Sequence, residues 1–274
     1  MSGFLDDMAR SSGARVREAE RLESFADLER RARHTPPGPP LRLSAQGFDV
    51  IAELKLRSPA ARALADPAHD WLGRVTAYAR GGAAAVSVLT EPTRFDGSLD
   101  HLRRAAAVLS PLGVPAMRKD FLVDPYQILE ARAAGAGGVL VILRMLTPAR
   151  IVELLDAAAE HRLFVLLEAF DAPDLELAGT LLAARRPQET VLVGVNSRDL
   201  QTLNVVQQRL ADLAPLLPAA APGVAESGVA SPEDAAEMRR LGYRLALIGT
   251  ALMNCADPSA RLGEMLNSAR TLSP

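Results

Sequence analysis

The chain has 274 residues, with 31 Lys+Arg against 33 Asp+Glu and a formal net charge of −2. This near-neutral balance, without blocks of like charge, gives no footprint for nucleic acid or an anionic membrane. The single cysteine excludes an intrachain disulfide and a multi-thiolate metal site. No stretch reaches the roughly 18 apolar residues of a membrane span, and the first residues lack the apolar core of a signal peptide. The composition predicts a globular, cytoplasmic protein.

Residues 1–45 differ in pattern from the rest of the chain. Phe4, Leu5 and Met8 recur at helical spacing, and the pattern of residues 16–33 predicts one highly charged amphipathic helix. The proline-rich segment 34–40 cannot continue that helix, because proline removes backbone donors. We therefore expect an N-terminal helical extension over residues 1–45, packed as a solvated cover on a single domain over residues 46–274.

From residue 48 onward, short apolar runs alternate with amphipathic segments. Each run is uninterrupted, as is typical of strands buried on both faces of a parallel sheet. The expected strands are 50–54, 85–89, 115–118, 139–143, 164–167, 191–195, 223–225 and 245–248. The expected helices are 72–80, 99–109, 125–134, 148–159, 173–184, 206–217, 232–241 and 258–268.

Eight strand–helix pairs in strict alternation predict an α/β protein, a (β/α)8 TIM barrel with an N-terminal helical extension. The rival fold is a doubly wound open sheet, which more often has five or six strands and a glycine-rich first turn. The first predicted strand is followed by Lys55-Leu-Arg-Ser-Pro59 instead of such a turn. The barrel is the better prediction.

Barrel enzymes collect their chemistry at the carboxyl ends of the strands. A lone ionisable residue there is well explained as a solvated rim residue, whereas a full set predicts an active site. The polar residues at the predicted strand ends are Glu53, Lys55, Ser58, Glu91, Arg118, Lys119, Asp120, Arg144, Glu168, Asn196, Arg198, Glu226 and Ser227.

The last two loops favour a phosphate site. Gly228 follows the seventh predicted strand, and Gly249 and Thr250 follow the eighth. Barrels build phosphate sites from these two loops, where glycine lets backbone N–H groups approach the oxygens. The alternative is that the glycines merely turn the chain.

Lys55 and Lys119 would face a common pocket, with Glu53 and Glu168 nearby. A desolvated lysine can have its pKa lowered towards a value useful for acid catalysis, or can form a Schiff base with a carbonyl substrate. The alternative is a pair of structural Lys–Glu salt bridges. No histidine falls at a predicted strand end, so we do not expect a histidine–metal site.

Taken in order, these residues resemble the indole-3-glycerol-phosphate synthase family of tryptophan biosynthesis. The matching stretches are Val50-Ile-Ala-Glu-Leu-Lys55 with Ser58-Pro59, Ser87-Val-Leu-Thr-Glu91 with Phe95-Asp-Gly97, Arg118-Lys-Asp-Phe121 with Asp124-Pro-Tyr-Gln-Ile128, Leu166-Leu-Glu168, Gly194-Val-Asn196 with Arg198-Asp-Leu200, Ala225-Glu-Ser-Gly228, and Ile248-Gly-Thr-Ala-Leu-Met253. The resemblance spans the whole chain, including the N-terminal extension.

The resemblance implies that the enzyme converts 1-(2-carboxyphenylamino)-1-deoxyribulose 5-phosphate to indole-3-glycerol phosphate, releasing carbon dioxide and water without a cofactor. It implies that Lys119 is the general acid, that Glu168 lies beside the anilino nitrogen, and that Lys55 and Glu53 serve proton transfer and dehydration. The remaining implied substrate contacts are Asn196, Ser227, Ser58 and Glu226 as polar groups, Arg198 for the anthranilate carboxylate, Gly228, Gly249 and Thr250 for the phosphate, and Phe95 and Phe121 as apolar walls. The partner is this small phosphorylated substrate, and we expect a monomer or weak homodimer.

The chain departs from the family pattern in its first loop. Residues 55–62 lack a lysine, a serine and a glycine that the family usually has in a mobile loop expected to close on substrate. The alternative functions are a paralogue acting on a modified anilino-sugar phosphate, a sugar-phosphate isomerase, and a non-catalytic barrel. The isomerase explains the phosphate loops but not the N-terminal extension or the pairing of Lys55 with Lys119. A non-catalytic barrel has no reason to keep five polar groups in one pocket.

Overall fold

The computed structural model describes residues 3–55, 70–186, 189–199, 202 and 204–271. In this part of the chain, eight parallel strands close into a barrel in chain order, with β1 paired to both β2 and β8. The strands are β1 (Asp49–Leu54), β2 (Ala85–Leu89), β3 (Ala116–Lys119), β4 (Gly138–Ile142), β5 (Phe164–Ala169), β6 (Val191–Asn196), β7 (Gly223–Glu226) and β8 (Leu245–Ile248). The predicted (β/α)8 barrel is confirmed.

Helices surround the barrel in the expected alternation. They are α1 (Phe4–Leu22), α2 (Phe25–His34), α3 (Trp71–Arg80), α4 (Pro92–Phe95), α5 (Leu99–Leu109), α6 (Pro125–Ala133), α7 (Pro148–Glu160), α8 (Ala172–Ala183), α9 (Gln208–Leu213), α10 (Pro232–Arg240), α11 (Thr250–Met253) and α12 (Pro258–Arg270). No described helix is long and apolar enough to cross a membrane.

The strands are buried on both faces, as the uninterrupted apolar runs predict. Val50 and Ala52 of β1 belong to the hydrophobic core between the sheet and the helices. Their neighbour Ile51 points the other way, into a second core that fills the barrel interior together with Met117 and Leu140. Successive side chains of a strand alternate in direction, so both cores are built from the same short runs.

Several helices begin where an N-cap residue precedes proline. The side chains of Asp124, Thr147, Ser231 and Asp257 each accept a backbone N–H from the first turn of α6, α7, α10 and α12. Proline follows each cap because its fixed φ suits the first helical position and its missing N–H has no partner there. These starts agree with the predicted helix positions.

The N-terminal extension differs from the prediction. The single helix expected over residues 16–33 is wrong, because α1 ends at Leu22 and α2 begins at Phe25. Glu23 is extended, with φ −140°, and the Ser24 hydroxyl accepts the N–H of Asp27 at 3.2 Å. A serine at this position gains more as an N-cap than inside a helix, which divides the segment in two.

The helix expected over residues 206–217 is also shorter than predicted. It is α-helical only over α9 and continues as a 3-10 turn over Ala214–Leu216. Pro215 lies at the start of that turn and has no N–H with which to continue the α-helical hydrogen bonds.

Helix α1 packs against the carboxyl end of β3. The Arg15 guanidinium donates to both carboxylate oxygens of Asp120, at 2.7 and 3.0 Å. The Gln127 amide donates to the buried Ser12 hydroxyl at 2.9 Å. These buried contacts make the extension more than the solvated cover that was expected.

Candidate active site

A cavity of about 850 Å³ opens at the carboxyl ends of the strands. Nearly all the site residues predicted from the sequence line it: Glu53, Lys55, Phe95, Lys119, Phe121, Glu168, Asn196, Arg198, Glu226, Ser227, Gly228, Gly249 and Thr250. Ser58 and the loop expected to close on substrate lie outside the described residues. The topology therefore brings together side chains that are up to about 200 residues apart in the chain.

The lysines of the chain are concentrated at this cavity. The sequence contains two lysines, Lys55 and Lys119, among its 31 Lys and Arg residues, and both line the cavity. Lysine differs from arginine in that its ammonium can lose a proton in the range used by enzymes. The two side chains suited to proton transfer are thus placed where a substrate would bind.

Lys119 ends β3 and points its ammonium towards two carboxylates. Its Nζ lies 3.4 Å from an oxygen of Glu168 and 3.7 Å from an oxygen of Glu226. Burial by itself would lower the pKa of Lys119, but the carboxylates of Glu168, Glu226 and Glu53 outweigh it and raise the pKa above its usual value. Of the two alternatives, a lowered lysine pKa and Lys–Glu ion pairs, the surroundings of Lys119 favour the ion pair, and Lys119 carries its proton at neutral pH.

Glu53 and Lys55 form a second ion pair at the end of β1, with 3.1 Å between Nζ and Oε1. Burial opposes ionisation of Glu53, but the charges of Lys55, Lys119 and Arg198 lower its pKa. Both lysines are therefore in Lys–Glu ion pairs. Because both pairs line a cavity, a substrate can reach them.

Glu226 is the carboxyl group without a hydrogen-bond partner in this cluster. Neither of its carboxyl oxygens has a hydrogen-bond partner among the described residues, although Oε2 lies within ion-pair distance of Lys119. Burial, followed by repulsion from Glu168 and Glu53, raises the pKa of Glu226 to about 8 against the attraction of Lys119. Gly194 makes room for this group, because a Cβ at position 194 would overlap Oε1. Glu226 therefore holds its proton to a higher pH than an ordinary glutamate does.

Asn196 connects the ends of three strands. Its amide donates to Glu168 at 2.8 Å, and its carbonyl oxygen accepts the Ser227 hydroxyl at 2.9 Å. The same oxygen accepts the backbone N–H of Arg198 at 2.9 Å. These bonds fix the orientation of the Glu168 carboxylate, which leaves its second oxygen facing Lys119.

Glycine is required at positions 228 and 249 for two different reasons. Gly228 has φ +84°, a conformation that favours glycine. Gly249 has φ −113°, which any residue adopts, but a Cβ there would lie 2.5 Å from Glu53 Oε1. Gly249 thus gives space to a carboxylate of the cluster as well as lining the predicted phosphate site.

An aromatic group forms the apolar side of the cavity. The Phe121 ring lies 6.4 Å from that of Phe95 and 5.7 Å from that of Phe4, centroid to centroid. Phe4 comes from helix α1 and was not predicted as a site residue. The sequence shows that Phe4 and Met8 lie on one face of a helix. It does not show which part of the barrel that helix face contacts.

The residues flanking Lys119 make structural contacts, as the alternation of β3 predicts. Arg118 is buried and donates to the carbonyl of Gln127 at 2.8 Å and to Glu130 at 2.9 Å. Burial would raise the pKa of Asp120, but Arg15 and Arg118, together with the Thr90 hydroxyl, lower it to about 2. Lys119 therefore lies between two residues whose side chains are held by ion pairs.

The cavity also has lining residues that sequence reasoning missed. Among them are Val205, Asn254, Cys255 and Arg261. Val205 follows β6 and pairs with Arg198 in an antiparallel bridge. Arg261 lies inside α12, where no strand-end pattern points to it.

One group of described side chains has metal-ligand spacing, namely Glu29, Glu160 and His161. None of its members lines the cavity.

Fold and cavity together define a (β/α)8 barrel whose strand-end cavity holds lysine–glutamate pairs and glycine turns after β7 and β8, a set of groups suited to acid–base chemistry. The family model "Indole-3-glycerol phosphate synthase" matches residues 5–265. The chain belongs to the indole-3-glycerol phosphate synthase family, as the sequence resemblance predicts.

Individual members of the family are similar to this chain in sequence over most of its length. The indole-3-glycerol phosphate synthase of Nocardioides sp. is 43% identical over 266 residues, covering 95% of this chain and 97% of the relative. That of Bordetella pertussis is 41% identical, covering 82% of each chain. That of Mycobacterium tuberculosis is 37% identical, covering 96% of this chain and 94% of the relative.

Solved structures of other enzymes share the fold. A 3-hexulose-6-phosphate synthase from Salmonella typhimurium aligns with a TM-score of 0.62 at 14% identity, covering 81% of this chain and 98% of that chain. Tryptophan synthase from M. tuberculosis aligns with a TM-score of 0.59 at 18% identity, covering 82% of this chain and 94% of that chain. At these identities the likeness concerns the barrel alone.

Proposed function

We propose that this enzyme closes the indole ring of 1-(2-carboxyphenylamino)-1-deoxyribulose 5-phosphate, with loss of carbon dioxide and water, to give indole-3-glycerol phosphate. The observation that carries the proposal is the position of Lys119, whose Nζ lies 3.4 Å from Glu168 in a cavity that both lysines of the chain line. Family membership agrees with it.

Lys119 is the acid of the first step. Attack of the aromatic carbon on the ketone develops negative charge on the ketone oxygen, and an ammonium at that position gives the oxygen its proton. Proton donation of this kind contributes about 10²–10⁴-fold in rate. The raised pKa of Lys119 supports the role because it keeps the ammonium loaded before substrate arrives.

Glu168 is the carboxylate that faces the anilino nitrogen. It stabilises the positive charge that develops there during ring closure, since a fixed carboxylate needs no reorganisation in a site with little water. Its orientation by Asn196, at 2.8 Å, supports this assignment. Loss of carbon dioxide then restores the aromatic ring.

Lys55 and Glu53 serve the later loss of water. The hydroxyl group needs a proton donor to leave as water, and the adjacent position needs a base. An ammonium and a carboxylate 3.1 Å apart provide both groups without any change in net charge.

Substrate recognition uses the remaining lining residues. Arg198 binds the anthranilate carboxylate, and Phe95 and Phe121 cover the aromatic ring. Ser227, Gly228, Gly249 and Thr250 bind the phosphate, with Ser58 and Glu226 as further polar groups. The residues of this set that the structure describes share one cavity, which supports this division.

The N-terminal extension, residues 1–45, covers the barrel domain, residues 46–274, and keeps water from the charged intermediate. The contact of Phe4 with Phe121 supports the cover role. We place the enzyme in the cytoplasm as a monomer or weak homodimer.

The proposal is tested by adding the anilino-deoxyribulose phosphate to the purified enzyme and following indole fluorescence together with carbon dioxide release. We expect both products in equal amounts. Isomerised sugar phosphate without indole would indicate the isomerase alternative, and no reaction would indicate a non-catalytic barrel. Turnover only of ring-substituted substrates would indicate the specialised paralogue.

A further inference from the structure

The end of the cavity formed by the loops after β7 and β8 needs a positive charge if it binds a phosphate monoester. Such a group carries about −1.5 to −2 charges at neutral pH. Both lysines of the cavity are already matched by glutamates, Lys55 by Glu53 at 3.1 Å and Lys119 by Glu168 at 3.4 Å. Neither lysine therefore has an unmatched positive charge to offer to a phosphate dianion.

Arg261 is a cation of the described chain that reaches this end of the cavity from outside the strand-end set, in addition to Arg198. It lines the cavity together with Val229, Ala230 and Thr250. Its guanidinium donates to the carbonyl oxygen of Ala230 at 3.1 Å, which ties α12 to the loop after β7. The guanidinium is thereby held beside the turn that begins at Gly228.

The contacts of Arg261 leave it able to bind a ligand. Its second contact is with Glu264, at 3.1 Å, a residue one turn away with a side chain that is 60% exposed. Arginine has five N–H donors in a rigid fork, and these two contacts use only part of them. A solvated partner such as Glu264 adds little energy, so the guanidinium can turn its free donors to an anion without losing a strong ion pair.

From this placement we infer that Arg261 binds the phosphate group of the substrate and product, and so determines the preference of the site for phosphorylated ligands. The inference rests on the proposed function for the identity of the ligand. The geometry itself requires only a phosphate monoester or inorganic phosphate. Gly228 and Gly249 supply backbone approach at the same place, and Arg261 supplies the charge that backbone N–H groups lack.

The test compares Arg261→Met and Arg261→Lys with the wild type. Arg240→Met is the matched control, because Arg240 also pairs with a glutamate three residues away, Glu237, but does not line the cavity. Dissociation constants are measured for indole-3-glycerol phosphate and for unphosphorylated indole-3-glycerol. Inorganic phosphate is titrated separately by calorimetry.

We expect Arg261→Met to weaken binding of indole-3-glycerol phosphate about tenfold, the effect of one partly exposed charged hydrogen bond. Binding of indole-3-glycerol should stay within twofold in Arg261→Met. Arg261→Lys should recover part of the loss, and Arg240→Met should match the wild type. An equal loss for both indole ligands would make Arg261 merely structural and overturn the inference.

Failure of the proposed function gives a different result. In that case the wild type makes no indole product, whatever residue stands at position 261. The inorganic phosphate titration still decides the role of Arg261. We expect weaker binding in Arg261→Met than in Arg240→Met, and equal affinities would overturn the inference.

Discussion

Gly249→Ala should impair catalysis more than substrate binding. The new Cβ would lie 2.5 Å from Glu53 Oε1, where ordinary contact begins at 3.4 Å, so the carboxylate must withdraw by about 0.9 Å. Oε1 is the atom that contacts Lys55 at 3.1 Å. A displacement of about 1 Å in reacting groups costs on the order of 10²-fold in rate. The backbone of Gly249 is unstrained, so the loss of stability should be no more than about 1–3 kcal/mol.

The assay is steady-state ring closure followed by indole fluorescence, with kcat and KM determined separately and folding checked by thermal melting. Gly263→Ala is the control, because a Cβ at that helical position meets nothing within 4 Å. It should leave kcat unchanged and raise the stability slightly. A Gly249→Ala variant with normal kcat and a raised KM would refute the reasoning, since Gly249 would then serve the phosphate alone.

The remaining predictions concern charge. The pKa of Glu226 is raised from 4.5 to about 8, so its ionisation costs stability as the pH rises between these values. Glu226→Gln should gain about 4 kcal/mol over the wild type in urea melts at pH 8.5 relative to pH 5, and an equal difference at both pH values would contradict this. The pKa of Asp120 is lowered to about 2, so its contribution is complete above about pH 4 and is lost towards pH 2. Asp120→Asn should lower the free energy of unfolding by about 3–5 kcal/mol at pH 7. The variant should also lose less stability than the wild type between about pH 4 and pH 2, measured by circular dichroism, and an unchanged midpoint of acid unfolding would contradict this. In an enzyme labelled with 15N-lysine, NMR should show the amine of Lys119, assigned with Lys55→Arg, still protonated at pH 10.5, and titration below pH 9 would refute the electrostatic account.

The sequence predicts the barrel well because each strand is a short apolar run that must be buried on both faces. The expected boundaries of β2 and β8 agree with the observed ones. The division between α1 and α2 was harder, since the charged pattern of residues 16–33 is helical throughout. The division is decided by Ser24, which caps the N-terminus of α2 by accepting the N–H of Asp27. This is the preference of a single residue, and the helical pattern around it gives no sign of a break.

The cavity was predictable to the extent that it is made of strand ends, because all parallel strands present their carboxyl ends on the same side. The side chains from outside that pattern were not. Phe4 and Arg261 reach the cavity from α1 and α12, whose placement depends on tertiary packing. The pKa of Lys119 also escaped prediction, since its direction depends on distances to Glu168 and Glu226 on two other strands.

The most direct test of the central claim, that Lys119 is the acid of ring closure, is a single-turnover measurement on Lys119→Met beside Lys119→Arg. Methionine keeps much of the apolar stem but removes the proton and the charge, whereas arginine keeps the charge and does not release a proton. We predict that both variants close the ring about 10²–10⁴-fold more slowly, while indole-3-glycerol phosphate binds with a Kd within a few-fold of the wild type. Ring closure within tenfold of the wild-type rate in Lys119→Met would contradict the account and leave Lys55 as the acid.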